Sequence, residues 1–318
     1  MLKNFYDMLY VADAHADTAT VCGNDFYVNK NCHLDLQRTK EFMNLQVFAF
    51  WQHPENKPWL EWQSFCRSYA AFANGVLAAP GIDILKNGAD LNCSDNTWAV
   101  MALEGVDSFA WLQDKKFFLD HLKKAHFKII GPFWNNDNWV GCGANSNEDN
   151  SDDFGLRLSG KRFLSVLTEY PMVLDLAHSS HRSFFDAAAV YTKPFMVSHA
   201  CCYTLCPHKR NLTDEQIKLL AERGGYLGIA FYPYFFKGDV HADIGDIVEH
   251  IKYAVNLAGS DSVGLGSDFD GIDFLPGGII GCESLPRLAD KLYSKGLKYD
   301  IIEKVMGLNL KRFLQDNL

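Results

Sequence analysis

The sequence predicts an α/β fold, a (β/α)8 TIM barrel that occupies residues 1–318 as one domain. Three observations predict it. Eight short apolar runs recur along the chain, each run is followed by a helix-like segment, and no linker, low-complexity segment or internal repeat divides the chain. Strand-like runs that alternate with helices indicate parallel βα units, and eight such units indicate a closed barrel.

The predicted strands are the eight apolar runs themselves, at 8–13, 45–50, 98–103, 127–131, 172–176, 194–197, 226–231 and 262–266. Helices between them carry their own signals. Thr213 with Gln216 three residues later is a capping-box pattern, and it predicts a helix over 213–222. Apolar residues at helical spacing from Ile244 to Leu257 predict an amphipathic helix before the eighth run. Two more helical stretches, at 284–295 and 298–316, end the chain.

The longest irregular segment is 135–155, which is rich in Asn, Asp, Gly and Ser and follows the fourth run. A loop of this length in a compact domain is usually functional or mobile.

Composition narrows the class of protein. The chain is 48% hydrophobic and 22% charged, as is typical of soluble globular proteins, and its net charge is −9. Because the charges are interspersed and no basic stripe occurs, we expect no nucleic-acid partner. No run reaches the length of a membrane-spanning helix, and residues 1–7 lack the apolar core of a signal peptide. We therefore expect a cytoplasmic protein with no membrane partner.

The nine cysteines are expected to be thiols, buried or free, because their number is odd and no secretory signal accompanies them. Cys201, Cys202 and Cys206 lie close together beside a histidine. Their spacing is not that of a zinc-finger knuckle, so a structural zinc site is not expected there.

Polar residues stand at the ends of the predicted strands. After the first run, the period of two places His15 and Asp17 on one face, where an imidazole and a carboxylate can converge on one divalent metal. Taken alone, this pair is more typical of a surface histidine and a capping aspartate. Further residues of the same types follow later runs: Glu104, His178, His181, His199, Asp268 and Asp270. Because barrel active sites lie at the carboxyl ends of the strands, these residues together predict a pair of divalent metals.

Each of these residues also has a structural interpretation. Glu104 could cap a helix, and His178 could be a hydrogen-bonded core residue. His181 lies beyond the strand end and fits the first turn of a helix better, and Asp270 fits a turn before Gly271. An accidental placement of five unrelated polar residues at one rim is the weaker explanation.

Several motifs in order resemble the membrane dipeptidase (renal dipeptidase) family, in its bacterial-type branch. They are Asp13 to Asp17 for Asp-x-His-x-Asp, Glu104-Gly105, Asp175 to His178, Ser198-His199, Cys206 to Asp214, and Gly266 to Gly271. The resemblance runs nearly end to end and implies a metal-dependent hydrolase barrel of the amidohydrolase-like type.

The resemblance implies two zinc ions bridged by a carboxylate, although manganese or cobalt would also suit these ligands. The implied ligands are His15, Asp17 and Glu104 for one ion, and Glu104, His178 and His199 for the other. The shared anion would offset the repulsion between the cations, and a water shared by the metals would supply hydroxide as the nucleophile.

Two further residues are implied to act on a dipeptide. Asp268 would steer the water and pass its proton to the leaving amine, or hold the free ammonium of the substrate. Arg210 would bind the C-terminal carboxylate, for which its planar guanidinium is suited. A pocket that recognises both ends of the substrate would admit dipeptides only, and the family suggests that a C-terminal D-residue is accepted and that the protein is a homodimer.

One segment departs from the mammalian pattern. Mammalian members carry a histidine after the fourth strand that is thought to polarise the scissile carbonyl, whereas Trp134-Asn135 stands here, as in bacterial branches. Asn135 is a candidate donor to the oxyanion, and Trp134 is either a wall of the substrate site or a packing residue. Tyr232 and Tyr234 could line the same pocket.

Two other functions stay open at this stage. Another amidohydrolase-like enzyme would act on lactones, phosphotriesters or cyclic amides, often with a modified lysine at the end of the fourth strand; here Lys128 stands at its start. A metal-binding protein with weak or no catalysis would be expected to have lost ligands, and none is missing. The sequence favours a binuclear zinc dipeptidase.

Overall fold

The computed structural model describes residues 6, 8–22, 25–52, 58–93, 96–110, 114–147 and 152–318. Positions 148–151 of the long segment predicted after the fourth run thus lie outside the described residues. The strands are β1 (Ala12–Ala16), β2 (Leu45–Trp51), β3 (Ile82–Ile84), β4 (Thr97–Glu104), β5 (Phe127–Gly131), β6 (Val173–Leu174), β7 (Met196–Ala200), β8 (Tyr226–Ile229) and β9 (Val263–Leu265).

The predicted barrel is confirmed. Strands pair in parallel in the order β6-β5-β4-β2-β1-β9-β8-β7. A parallel bridge between Asp175 and Met196 joins the two ends of this series, and the amide of Leu176 donates to the carbonyl of Met196 at 2.8 Å. The short β3 pairs with β4 outside the series. Its three residues are too few to leave an alternating pattern, so the sequence did not predict it.

Two strands extend further toward their carboxyl ends than predicted. β1 covers 12–16 rather than 8–13, and β7 covers 196–200 rather than 194–197. Polar residues end the apolar pattern early, but pairing with neighbouring backbone continues to Ala16 in β1 and to Ala200 in β7. His15 and His199 are therefore strand residues with fixed backbones.

Helices follow the strands as α1 (Thr18–Val21), α2 (Leu36–Phe42), α3 (Pro58–Ala78), α4 (Lys115–Lys124), α5 (Leu158–Leu167), α6 (His181–Val190), α7 (Asp214–Glu222), α8 (Pro233–Phe236), α9 (Ile244–Ala258), α10 (Leu285–Ser294), α11 (Tyr299–Glu303) and α12 (Asn309–Asn317). The predicted capping box is confirmed, with the amide of Thr213 donating to Gln216 Oε1 at 2.9 Å. Among the helices described, none is both long and apolar enough to cross a membrane.

The last predicted helix, 298–316, is interrupted. A wider turn at Lys304–Leu308 separates α11 from α12, and Gly307 leaves the helical conformation within it. A Cβ at Gly307 would lie 2.2 Å from the carbonyl oxygen of Tyr10. The close approach of this turn to the start of β1 requires a residue without a side chain.

Two apolar clusters fill the molecule. The larger one packs the helices against the outside of the barrel, with members from Leu9 to Met306. The smaller one joins strand residues such as Val47 and Val100 to Leu310, Phe313 and Leu314 of α12. Since the turn before α12 lies against the start of β1, α12 closes the amino-terminal end of the barrel.

One expectation about the cysteines is wrong. Cys22 and Cys32 form a disulfide, with their Cα atoms 6.4 Å apart, whereas the other seven cysteines are free. Thr18 of α1 and the amide of His33 both donate to Asp270 in the loop that follows β9, so residues on either side of the disulfide are held at the same loop. Proximity of this kind depends on the tertiary structure, so neither the cysteine count nor the spacing could predict it.

Candidate metal centre

The residues predicted to bind metal meet at the carboxyl end of the barrel. They come from the ends of five strands or from the loops after them, with two of them from β1, and all are at least nine-tenths buried: His15, Asp17, Glu104, His178, His199 and Asp268. Parallel strands deliver the residues that follow them to one rim, which explains why residues so far apart in sequence are neighbours here.

Glu104, the last residue of β4, lies at the middle of the group. Its Oε1 is 3.0 Å from Nε2 of His178 and 3.6 Å from Nε2 of His199. Its Oε2 is 3.7 Å from Nε2 of His15 on the other side. One oxygen of this carboxylate therefore faces His15, and the other faces His178 and His199.

His15 faces three carboxylates. Its Nε2 lies 3.5 Å from Asp17 Oδ2 and 3.8 Å from Asp268 Oδ1, in addition to the contact with Glu104. The nitrogen is buried and makes no hydrogen bond. Burial opposes a charge on this ring, but Glu104, Asp17 and Asp268 outweigh it and raise the pKa of His15 to about 10. A cation is strongly favoured at this point.

His178 and His199 face each other with their Nε2 atoms 2.9 Å apart. His178 Nδ1 lies 2.9 Å from Asn135 Oδ1; because an amide oxygen only accepts, Nδ1 carries the proton and Nε2 presents a lone pair. Ser198 Oγ contacts His199 Nδ1 at 2.8 Å. Burial, with the charges of Arg210 and His15, holds the pKa of both imidazoles well below the ordinary value. Both rings are therefore in the neutral form that binds metal.

These residues fit a pair of divalent metals. His15, Asp17 and Glu104 have ligand atoms within 4.8 Å of one another, and so do Glu104, His178 and His199. The buried His15 nitrogen has no hydrogen-bond partner and faces three carboxylates, and both neutral histidines have their Nε2 atoms within 4 Å of Glu104. A mixed imidazole and carboxylate set is typical of zinc and of similar ions.

The backbone at the centre takes uncommon conformations. His178 and Asp268 have φ of 63° and 62°, in the left-handed region that few residues other than glycine adopt. The pairing of β1 with β2 also shifts register between Asp13 and Ala16. Such irregularities re-aim side chains near active sites and persist only where the surrounding structure holds them.

Asp13 supplies part of that support, and the sequence assigned it no role beyond the motif. Its carboxylate accepts from the amide of Ser267 at 2.7 Å, from Ser267 Oγ at 2.8 Å and from Gln46 Nε2 at 2.9 Å. These bonds join β1, β2 and the loop after β9. They fix the segment that carries Asp268.

Asp268 is a buried carboxylate beside other carboxylates. Burial raises its pKa to about 6, with a further contribution from Asp17, against the opposing charges of His15 and Arg210. Its carboxyl group can therefore hold or release a proton near neutral pH.

A cavity of about 220 Å³ opens beside the centre. Its lining includes every residue predicted to contact substrate: Trp134, Asn135, Arg210, Tyr232 and Asp268. The Trp134 ring is stacked on that of His178, with centroids 6.2 Å apart. Tyr234, the other tyrosine considered, is not part of the lining, whereas His208, Lys209, Phe235 and Asp273 are and were not predicted. The sequence offers one indication for two of them: His208 and Lys209 directly precede Arg210 in its motif.

Arg210 also lines this cavity. Its Nη2 donates to the carbonyl of His199 at 3.3 Å, and the guanidinium lies 5.6 Å from the centre of the Phe235 ring. Burial lowers its pKa to about 10, although Asp268 and Glu104 oppose this effect. The group stays charged at neutral pH and is available to an anion.

Other polar residues near the rim have structural positions. His181 begins α6, as its alternative interpretation predicted, and it belongs to neither ligand group. Asp270 accepts from Thr18 Oγ1 at 2.5 Å and from the amide of His33 at 2.6 Å, and so connects its own loop to α1 and to the segment at His33. Lys128 is the second residue of β5 and lies at the opposite end of that strand from the metal centre.

Comparison with known proteins identifies the family. The sequence profile described as Membrane dipeptidase (Peptidase family M19) matches residues 2–317. The chain belongs to this family. The predicted relationship is thereby confirmed, and the protein is a hydrolase of the metallo-dipeptidase type.

Individual relatives agree with this assignment. An uncharacterized Klebsiella pneumoniae protein from the pqqA 5′ region is 35% identical over 198 residues, which cover 60% of this chain and 73% of that protein. Dipeptidase aclJ of Aspergillus oryzae is 35% identical over 51% of this chain, and the match spans only 39% of that longer protein. A metallopeptidase from Rhodobacter sphaeroides, solved with a phosphinate mimic of the dipeptide L-Ala-D-Ala, superposes with a TM-score of 0.87. At 21% identity over 98% of this chain and 99% of that one, it shares the fold.

Proposed function

We propose that this protein hydrolyses the peptide bond of dipeptides at a centre of two divalent metal ions, with zinc as the preferred metal. The position of Glu104 carries the proposal, because its two carboxylate oxygens face separate groups of ligands. One ion would be held by His15, Asp17 and Glu104, and the other by Glu104, His178 and His199. When bound, the ions would supply an activated water, as hydroxide, for attack on the peptide carbonyl.

Asp268 has the position and acidity of the residue that moves the proton. It lies within the metal group and lines the cavity, and its pKa of about 6 suits transfer near neutral pH. In our proposal it accepts a proton from the attacking water and delivers it to the leaving amine. The same carboxylate is also the candidate partner of the substrate ammonium.

Arg210 binds the C-terminal carboxylate in this proposal. It is buried and charged and lines the same cavity as Asp17 and Asp268, so this cavity offers a cation to the carboxylate of the substrate and carboxylates to its ammonium. A longer peptide would separate the ammonium from the carboxylate and could not satisfy both. This arrangement supports a restriction to dipeptides.

The remaining lining residues shape the site. Trp134 forms a flat wall beside His178, and Tyr232, from the segment after β8, lines the same cavity. Asn135 uses its amide oxygen to orient His178, which leaves its amide nitrogen as a donor for the substrate carbonyl. The Rhodobacter relative holds a mimic of L-Ala-D-Ala, and we extend acceptance of a C-terminal D-residue to this protein.

Hydrolysis of a panel of L-L and L-D dipeptides by metal-loaded protein tests the proposal, with a tripeptide and an N-acetylated dipeptide as controls. We expect cleavage of the dipeptides alone, two metal ions per chain by elemental analysis, and loss of turnover in the D268N variant. Two bound ions without turnover of any dipeptide would reject the function and leave the metal centre standing.

Homodimer formation and a cytoplasmic location stay predictions. Analytical ultracentrifugation tests the first, and fractionation of the source cells tests the second.

A further inference from the structure

Ser198 and His199 are neighbours in β7, yet both side chains take part in contacts at the metal centre. In a regular strand, neighbouring side chains point to opposite faces. Here the register of β7 against β8 shifts between Val197 and Ala200. Ser198 and His199 therefore lie together opposite one residue, Gly228. This arrangement is a β-bulge, which re-aims the side chains that it carries.

The backbone of Ser198 is held by its surroundings. A Cβ at Gly228 would lie 1.9 Å from the carbonyl oxygen of Ser198, so this close approach requires a glycine. The amide of Ser198 donates to Asp175 Oδ1 at 2.9 Å. The same oxygen accepts from the amide of Ala177, directly before His178, at 2.9 Å. Contacts within the protein therefore fix the position of the Ser198 side chain next to the centre.

The Ser198 hydroxyl contacts two histidines at once. Its Oγ lies 2.8 Å from His199 Nδ1 and 3.4 Å from His15 Nδ1, and the two rings have their centroids 3.9 Å apart. Within the part of the chain that the structure describes, Ser198 is the one hydrogen-bond partner of each of these nitrogens. In the proposed centre, the two histidines bind different metal ions.

The other nitrogen of each ring faces the carboxylates. His15 Nε2 lies near three of them, and His199 Nε2 lies 3.6 Å from Glu104 Oε1. If each Nε2 binds a metal ion, the proton of each neutral imidazole is on Nδ1. A hydroxyl oxygen has two lone pairs, so Ser198 Oγ can accept from both Nδ1–H groups. Such an acceptor fixes the tautomer and the orientation of a histidine ligand.

We propose that Ser198 is a positioning residue shared by the two metal sites, because its hydroxyl orients one histidine ligand of each ion. The proposal rests on the pair of metal ions in the proposed function. The Asn135 side chain differs from Ser198 in that it contacts a histidine ligand of one ion, His178. Loss of the Ser198 hydroxyl should therefore weaken both ions, whereas loss of the Asn135 amide should weaken one.

Titration of zinc against a chromophoric chelator resolves the two binding steps and tests the proposal. In S198A we expect the affinity of both ions to fall by about 10–100-fold, the usual effect of removing a hydrogen-bond partner of a metal-bound histidine. In N135A one step should weaken and the other should stay close to wild type. S198T keeps the hydroxyl, and a β-branched residue suits a strand, so it should recover most of both affinities.

The matched control is S284A, at a buried serine whose hydroxyl accepts from the amide of Ile280. It should keep both zinc affinities of the wild-type protein. Wild-type affinity for either ion in S198A would overturn the proposal. Equal losses in S198A and S198T would assign the effect to packing rather than to the hydroxyl, and would also reject it.

The binding measurement separates this inference from the dipeptidase function. If the wild-type protein binds two zinc ions and hydrolyses no dipeptide, the function fails. The affinities still decide the inference: a loss at both sites in S198A that S198T reverses supports it. Fewer than two ions per wild-type chain would reject the metal pair and the shared role of Ser198 together.

Discussion

The two ends of the barrel differ in the side chains that they bury. At the carboxyl end, three carboxylates and three histidines are buried within a few ångströms, with an unsatisfied nitrogen on His15 and left-handed backbone at His178 and Asp268. At the amino end, α12 closes the barrel with apolar side chains. The end that is equipped for chemistry is therefore the end that costs stability, and the other end offsets that cost.

The amino end is stabilised mainly by apolar packing. Leu310, Phe313 and Leu314 are at most 3% exposed, and the Phe313 ring lies 6.1 Å from that of Tyr226. Asn309, which begins α12, donates from Nδ2 to the carbonyl of Val263 at 2.8 Å. At the metal centre, in contrast, burial raises the pKa of Glu104 well above the ordinary value. Metal binding is what compensates the buried charge there.

E104Q, at the carboxyl end, is expected to lower activity strongly without lowering stability. We expect kcat/KM to fall by at least ~10²–10³-fold, because both ligand groups lose their shared anion. Without metal, the free energy of unfolding should stay within about 1 kcal/mol of the wild-type value or increase, because a buried charge is removed. Dipeptide assays and urea unfolding in chelator measure the two effects. E249Q, at an exposed glutamate of α9, is the control. Strong destabilisation by E104Q would contradict the view that the carboxyl end costs stability.

F313A, at the amino end, is expected to lower stability strongly without lowering activity. Removal of this buried ring should lower the free energy of unfolding by ~3–5 kcal/mol, through lost burial and the cavity left behind. The metal content and kcat/KM of the folded fraction should stay close to wild type, because α12 lies at the end opposite the centre. F117A removes an equal ring that is 52% exposed, and it should change stability by less than about 0.5 kcal/mol. A large loss of kcat/KM in folded F313A would show that the ends are coupled.

A pH dependence should arise near the carboxyl end from His250 of α9, whose Nδ1 accepts from the amide of Cys202 just beyond β7. Burial lowers the pKa of His250 to about 4. In the unfolded chain His250 takes up a proton below about pH 6.5, whereas in the folded chain it does so only below about pH 4. The free energy of unfolding therefore has its full value above about pH 6.5 and decreases as the pH falls from about 6.5 to 4. The expected loss is about 3 kcal/mol.

Urea unfolding of chelated protein from pH 7.5 to 4 measures this loss. H250N keeps an acceptor for the Cys202 amide but cannot titrate, so its stability should fall less over the same range. Equal pH slopes for H250N and the wild-type protein would remove His250 as the cause.

The smallest effect is expected from N135A, which removes the acceptor of the His178 Nδ1 proton. Metal affinity should decrease by about 10–100-fold, because the imidazole loses its fixed orientation. The stability of the chelated protein should change little. Competition with a chromophoric chelator measures the affinity, and N135D, which keeps an acceptor oxygen, should recover most of it. Wild-type affinity in N135A would mean that packing against Trp134 alone orients the ring.

Much of the architecture was predictable because it depends on local patterns. Apolar runs alternating with helix signals such as Thr213 and Gln216 specify parallel βα units, and the barrel follows from their number. The strand bounds were less accurate at β1 and β7. There, pairing with a neighbouring strand continues past the apolar run, and no local signal in the sequence reports on such a neighbour.

By itself, the sequence determined the barrel, the family and the candidate ligands, because residue types at strand ends converge by the geometry of a parallel barrel. Only the tertiary structure decided how Asn135 and Asp13 support those ligands and that Cys22 pairs with Cys32. It alone showed that Lys209 lines both the cavity at the metal centre and a second cavity beside it. These features depend on distances between segments that are remote in the chain, and residue spacing carries no information about such distances.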